Sequence, residues 1–359
     1  MNKAYNRVEW DFLEDALLRF DFCRNWVNLV MGCVTTVSFY VVLNGNAGSF
    51  LKPKRGLRQG DPLSPYLSLI ISDVLSVRIT KAVSEGDLQG IKLSRTCPVI
   101  SHLFFADDAL FFLKATLPNC WRLKSIFHEY CMASGQLINH DKSSIYFSLI
   151  TPLQIQHLLC ELLGILLVDN PGKYLGMPTI WGSSSLSYIK DRINRKIEGW
   201  KLNSLSPAGK EILIKSVAMA VPAYPMSCFK FPASICIEIN STLGKFWWGY
   251  HNTGLKLYWK SWAYLEKLKL DGGLGFRDLL SFNLALLVKQ CWRLIQDPCS
   301  FWARIVKARY FPFCDFASAM KGYYASWSWA SLLEARDIIL TGSMWQVGNG
   351  LSINIWKDH

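Results

Sequence analysis

The residues with the clearest capacity for chemistry are two adjacent carboxylates, Asp107 and Asp108, in the run Phe104-Phe105-Ala106-Asp107-Asp108. Two acidic residues in a turn are often no more than a solvated turn. The apolar runs at 99–105 and 109–113 argue for more. They predict a hairpin with both arms buried, projecting its charges from the edge of a core. A rigid hairpin of this kind suits Mg²⁺, which takes oxygen ligands in strict geometry. Two such ions can clamp the attacking and leaving oxygens of a phosphoryl transfer.

The second candidate is the loop Arg55-Gly56-Leu57-Arg58-Gln59-Gly60-Asp61-Pro62-Leu63-Ser64-Pro65. Its glycines let backbone approach a ligand closely. Arg55 and Arg58 can meet phosphates, and Gln59 can hydrogen-bond a base or a sugar. The competing reading is a basic surface loop ahead of a capped helix.

Several elements must position these residues. Trp10, Leu13, Leu17 and Phe20 recur at helical spacing, with acidic residues near the start where the helix dipole favours them. A β-branched and aromatic run over 35–43 ends at Asn44-Gly45, a strong hairpin turn signal. Ser64-Pro65 suits an N-cap and first helical position, opening an apolar helix toward Ala82. A helix over 118–134 places Cys120, Leu123, Phe127 and Tyr130 on one face, and Gly135 ends it. Residues 143–148 read as a short strand. Beyond about residue 180 the pattern is mainly helical, with Ile189, Ile193, Ile197 and Trp200 in one stripe and Ser206-Pro207 opening a further helix.

The chain of 359 residues is 51% hydrophobic and 18% charged, a globular composition with room for two or three domains. No apolar run is long enough to span a bilayer, and the acidic opening is no secretory signal, so an intracellular protein is expected, nucleus or cytoplasm left open. The eleven cysteines show no C-x-x-C and no close Cys/His cluster, so they read as small buried apolar residues. Residues 1–180 carry 17 Lys/Arg against 15 Asp/Glu, a net of +2, and residues 181–359 carry 22 against 12, a net of +10. Twelve of the fifteen tryptophans also lie in the later half. Basic charge attracts a polyanion and aromatic faces stack on bases, although the same residues also serve as solvated surface and core.

Taken together, the R-G-x-R-Q-G-D-P-L-S-P string and the later F-A-D-D resemble the reverse transcriptases of plant non-LTR (LINE-type) retrotransposons. The likeness continues through Ser134-Gly135-Gln136-Leu137-Ile138-Asn139 with Lys142-Ser143, Lys173-Tyr174-Leu175-Gly176-Met177-Pro178, and Leu205-Ser206-Pro207-Ala208-Gly209-Lys210 with Ile214-Lys215-Ser216-Val217. It extends to Gly272-Gly273-Leu274-Gly275-Phe276-Arg277 and Trp345-Gln346-Val347-Gly348-Asn349-Gly350. The resemblance implies an α+β fold: a partial palm over 1–180, with an antiparallel sheet and packed helices. A thumb-like helical region over 181–255 and a Trp/Gly/Arg-rich region over 256–359 would follow. It also implies RNA-directed DNA synthesis with Mg²⁺, an RNA template and a DNA primer.

Carried over by position, Asp107 is a principal metal ligand and Asp108 its neighbour in the catalytic cluster. Gln59 and Gly60 fall in the loop against template and incoming nucleotide, and Tyr5 matches the aromatic that blocks a ribose 2′-hydroxyl. Lys142 lies in the segment associated with protonating pyrophosphate, or is a plain surface lysine. The sequence also departs from the pattern. The family's usual D-M-S-K-A-Y-D is here Met1-Asn2-Lys3-Ala4-Tyr5-Asn6, so a third catalytic Asp is expected to fall before Met1 and Asn6 replaces another. The fingers, an upstream endonuclease and a downstream Cys/His segment, which the family pattern would add, are expected to fall outside this sequence. The expectation that follows is that, with one carboxylate short, two ions would not be bridged, a sheet edge would be left open, and buried repulsion between Asp107 and Asp108 would be poorly compensated. The expectation is a family member inactive as it stands, or else a non-catalytic remnant that binds nucleic acid through its basic half. A maturase-like RNA-binding protein on the same palm is the further alternative.

Overall fold

The computed structural model describes residues 4–181, 186–201, 205–249 and 257–344; Met1 and the 345–350 motif lie outside them. The chain divides into two compact units, one of Met1–Lys92 with Val99–Gly172, the other of Leu93–Pro98 with Lys173–His359.

In the first unit, helix α1 (Trp10–Arg19) buries Leu13, Ala16 and Leu17. Phe20 lies just past its end as the C-cap residue. Helix α2 (Arg24–Thr35) follows, burying Val27 and Val30. It takes in Thr35, expected to open a strand, because the Thr35 hydroxyl donates back to the Met31 carbonyl at 2.8 Å and is satisfied within the helix. Strands β1 (Phe39–Leu43) and β2 (Asn46–Leu51) pair antiparallel around Asn44 (φ 50°) and Gly45 (φ 84°), the two left-handed residues that a type I′ turn needs.

Helix α3 (Ser64–Ser84) runs two residues further than expected, and its N-cap is Leu63. Ser64 therefore lies inside the helix. Asp61 supplies the acceptor instead, its Oδ1 taking the Leu63 amide at 2.8 Å. Strands β3 (His102–Phe105) and β4 (Asp108–Phe111) form the second hairpin. Helix α4 (Leu117–Ser134) buries Cys120, Leu123, Ile126 and Tyr130 and stops at Gly135, whose φ of 72° a side chain resists. The core of this unit is the contact of α1, α3 and α4, with Leu17, Leu75, Ile79 and Ile126 almost fully buried. A short strand β5 (Ser144–Ile145), helix α5 (Leu153–Leu163) and β6 (Leu166–Leu167) close the unit as a small parallel crossover.

The second unit begins with the hairpin β7 (Lys173–Tyr174) and β8 (Met177–Pro178) and is otherwise helical. Its helices are α6 (Ser187–Lys201), α7 (Pro207–Leu213), α8 (Ala223–Met226), α9 (Ala233–Trp248), α10 (Trp262–Glu266), α11 (Leu279–Gln296), α12 (Phe301–Tyr310) and α13 (Trp327–Gly342). The expected stripe holds, with Ile189, Ile193 and Ile197 buried. Ser206 caps α7, its Oγ accepting the Gly209 amide at 3.2 Å. Lys215 joins two of the sequence motifs: its Nζ donates to the Leu274 carbonyl at 2.5 Å and to Glu211 at 2.8 Å. Gly273 is obligatory there, since a Cβ would sit 2.1 Å from the Lys267 carbonyl oxygen. A further core gathers Leu287, Cys291 and Trp329 from α11 and α13.

The class is α+β. Among the described residues the strands form four separate two-stranded pairs, one of them parallel, and not one larger antiparallel sheet. No helix there is long and apolar enough to cross a membrane. The eleven cysteines are all free, and they are less uniformly buried than their composition suggested: Cys23, Cys33, Cys299 and Cys314 are exposed.

Candidate functional site

Phe105 pairs with Asp108, so the turn of the second hairpin is Ala106-Asp107. Ala106 takes a φ of 51° and Asp107 does not, the pattern of a type II′ turn filled without glycine. Side chains alternate across the strands. His102, Phe104, Ala109 and Phe111 share the inner face; Leu103, Phe105, Asp108 and Leu110 share the outer one. Phe104 and Phe111 lie on the core, and Phe111 meets Phe127 edge-on at 5.0 Å. The outer face is open, with Phe105 60% and Leu103 40% exposed. The expectation of two buried arms is therefore corrected, because each arm is only four residues long and one face alone can reach the core. Asp107 and Asp108 are both exposed. Water solvates them, so the expected buried repulsion does not arise.

Beneath the hairpin, His102 is held at both ring nitrogens. Nε2 lies 2.8 Å from Ser76 Oγ on α3, and Nδ1 lies 2.9 Å from Ser101 Oγ. Burial lowers the His102 pKa, and the nearby Asp73 carboxylate opposes that shift. Nothing in the sequence distinguished this histidine. Its partner on α3 is 26 residues away, and only the packing of β3 on α3 brings the two together.

The basic loop is fastened to the start of the chain. The Leu57 amide donates to the Tyr5 carbonyl at 2.6 Å and the Gly56 amide to the Val8 carbonyl at 2.7 Å. Trp10 Nε1 donates to the Gly56 carbonyl at 2.9 Å. At Gly56 (φ 95°) a Cβ would lie 2.9 Å from the Asn6 carbonyl oxygen. That glycine's close approach is to the protein's own backbone, whereas Gly60 (φ 89°) faces open space and keeps the freedom proposed for ligand contact. Arg55 pairs with Glu9 at 3.1 Å, and the Arg58 guanidinium lies 6.0 Å over the Phe39 ring.

The same N-terminal segment receives the S-G-Q motif. The Glu9 amide donates to the Ser134 carbonyl at 3.0 Å, and a Cβ on Gly135 would sit 2.4 Å from the Arg7 carbonyl oxygen. Residues 5–9 are thus the hub on which two motifs meet, a role the sequence did not reveal. Tyr5 itself is half-buried against the core.

A cavity of about 380 Å³ collects Asn6, Cys33, Phe39, Arg55, Arg58 and Gln59 in its lining. Asp107 and Asp108 are not part of it; they stand on the hairpin tip. Lys142 stands apart from both, exposed at the end of the short 3₁₀ turn His140–Lys142, with its amide capped by Asn139 Oδ1 at 3.2 Å. The tip offers the hard oxygen donors that Mg²⁺ prefers. Among the described residues, however, no three His, Cys, Asp or Glu side chains come together. Two carboxylates are too few to bridge a pair of ions, so these residues alone do not fit a two-ion centre.

Residues 1–179 match the family model for reverse transcriptase (RNA-dependent DNA polymerase). The chain is 38% identical over 141 residues to an uncharacterized mitochondrial protein of Arabidopsis thaliana, covering 39% of this chain and 92% of that protein. It is 32% identical over 173 residues to a putative ribonuclease H protein of Arabidopsis thaliana, covering 47% of this chain and 28% of that one. It is also 28% identical over 110 residues to the retrovirus-related Pol polyprotein from the type-1 retrotransposable element R2 of Popillia japonica, covering 31% of this chain and 17% of that polyprotein. The chain thus spans under a third of the two larger relatives.

Proposed function

The chain belongs to the reverse transcriptase (RNA-dependent DNA polymerase) family of plant non-LTR retrotransposons, and we propose that by itself it grips a nucleic acid without extending it. The observation that carries this reading is the hairpin tip. Asp107 and Asp108 stand exposed on a rigid, core-anchored hairpin, with no third acidic, His or Cys side chain gathered beside them among the described residues. Polymer growth on this fold rests on Mg²⁺ polarising the reacting oxygens, and these residues supply only part of its ligand set.

In this reading residues 1–180 are a palm, 181–255 a thumb and 256–359 a further helical region. Gln59 and Gly60 face template and incoming nucleotide, Arg55 and Arg58 meet phosphate, and Tyr5 backs the sugar position. Lys142 is assigned to pyrophosphate. The net charge of +10 over 181–359 supports a grip on the polyanion backbone. The template is RNA and the primer DNA.

The experiment is primer extension by the purified chain with RNA template, DNA primer, Mg²⁺ and deoxynucleotides, run beside a filter-binding titration at rising salt. The expected result is no extension, with affinity that falls steeply as salt rises. Extension that Asp107→Asn abolishes would overturn the inactive reading. Binding indifferent to salt would overturn the grip.

A further inference from the structure

In the second unit, the loop over 311–326 joins α12 to α13 and is firmly anchored at its base. Its ends are tied where the Tyr310 hydroxyl donates to Ser326 Oγ at 2.8 Å. Phe311 and Phe316 are buried against Trp329, with ring centres 5.5 and 6.0 Å away. From α13 the Arg336 guanidinium donates to the Phe316 and Ala319 carbonyls. A compact loop with close ends, packed on its own side chains, is frequently a functional surface.

What this loop displays is aromatic. Phe313 is 96%, Tyr323 93% and Tyr324 82% exposed. Tyr323 and Tyr324 meet edge-on at 5.0 Å, so ring faces stay open to solvent. Residues 311–326 hold five Phe or Tyr and no Leu, Ile or Val. Residues 301–326 carry four Lys/Arg against one Asp, a net of +3. Arg304 and Lys307 on α12 and Lys321 on the loop are exposed. Among the described residues none of these three pairs with a carboxylate. The two carboxylates of α13 are already engaged, Glu334 by Lys230 and Asp337 by Arg336.

We propose that this loop is a stacking platform for the unpaired bases of a single-stranded nucleic acid. The reading rests on the grip proposed above and says where on the second unit, and on which form of the strand, it acts. Aromatic side chains alone would equally suit a protein partner. The unpaired cations around them select a polyanion, and the rings then select a polyanion with flat faces to stack. A duplex keeps its bases stacked inside, so Tyr and Phe faces gain contact only with an unpaired strand. An anionic bilayer would satisfy the charge, but it takes up aliphatic side chains as readily as rings, and the loop offers no Leu, Ile or Val.

The test is a fluorescence-anisotropy titration of the full chain with a labelled single-stranded thymidine oligonucleotide and, separately, with the matching duplex. Tyr323→Leu combined with Tyr324→Leu, at exposed positions that leave the core intact, lowers single-strand affinity at least about fivefold and leaves duplex affinity unchanged. Tyr323→Phe combined with Tyr324→Phe keeps single-strand affinity, because the ring faces remain. Single-strand binding that ignores the Leu substitutions, or falls equally with Phe, overturns the platform while the grip stands. If neither form of the strand binds, the grip fails and the platform with it. Leu substitutions that weaken capture by phosphatidylserine vesicles, and not by the oligonucleotide, would assign the loop to a membrane surface and overturn the proposal.

Discussion

The two hairpins of the first unit use the same local recipe, apolar strands joined by two residues of which at least the first is left-handed: Asn44 in one, Ala106 in the other. Their surroundings separate them. β3–β4 seats His102, Phe104 and Phe111 on the helical core and turns Leu103, Phe105 and Asp108 outward. β1–β2 buries none of its residues, although β1 is apolar throughout; Phe39 alone reaches the basic loop, under the Arg58 guanidinium. Apolar composition marked both as strands, but what is buried depends on the neighbour available to each face. A hairpin held on one side can carry chemistry at its tip, and a hairpin with no buried residue rests mainly on its own strand pairing.

The largest effect expected follows from that contrast. Phe104→Ala removes a ring packed against Phe111 at 5.7 Å and His102 at 4.8 Å and should cost about 2–3 kcal/mol, less than a full core deletion because the ring is half-buried. Phe50→Ala, on the exposed hairpin, should stay within about 0.5 kcal/mol. Hydrogen exchange of the hairpin amides reads both. Equal losses would break the comparison, because β1–β2 would then be packed within its own chain.

The turns give the next effect. Gly45→Ala places a Cβ at a φ of 84° and should weaken β1–β2 by about 1–2 kcal/mol. Ala106→Gly does the reverse, relieving the strain at φ 51° and stiffening β3–β4 by about 0.5–1 kcal/mol. Thermal melts and amide protection should move in opposite directions for the two substitutions. Movement in the same direction would mean that the turns do not control their hairpins.

What the sequence revealed follows the same division between local and distant. The Asn44-Gly45 turn, the Gly135 stop, the stripe on α6 and the Ser206 cap were all legible, because each depends on residues within a turn or two of one another. The recognition of Asp107, Asp108 and the Gln59 loop as a unit came from motif spacing. The hub at residues 5–9 was not legible, since Gly56 and Gly135 meet it from 50 and 128 positions beyond Asn6 and Arg7. Nor was the assignment of Ser64, where Asp61 competes for the same capping role three residues earlier. Thr35 was drawn to a strand by its β-branched type, and a hydrogen bond one turn back kept it helical.

A smaller effect tests whether β3–β4 is held from beneath as described. Burial keeps the folded His102 pKa below the ordinary 6.5, so the unfolded chain takes up the proton first. The stability contributed by the neutral ring is complete above 6.5 and is lost as pH falls through that value toward the lowered one. Of the charged groups nearby, Asp73 opposes the trend by favouring the imidazolium. Amide protection in β3–β4 should therefore be higher at about pH 7.5 than at about pH 5.5, and His102→Gln should flatten the difference. A profile unchanged by His102→Gln would assign the pH dependence to another group, while β1–β2 serves as the internal control.

The smallest effect comes at the tip itself, where the two hairpins are most alike. Asp108 is exposed, on the outer face opposite Phe105, and water solvates its carboxylate. Replacing it by Asn keeps the shape and removes one of two adjacent charges, so stability should change by less than about 0.5 kcal/mol in either direction. The binding of Mn²⁺, followed by paramagnetic broadening of the hairpin resonances, should nevertheless fall, because a carboxylate oxygen is a far better ligand for a hard cation than an amide. A change confined to metal binding separates the chemistry of this tip from its structure. A loss of stability comparable to that of Phe104→Ala would instead make Asp108 part of what holds the hairpin, and the distinction between its anchored inner face and its open outer face would fail.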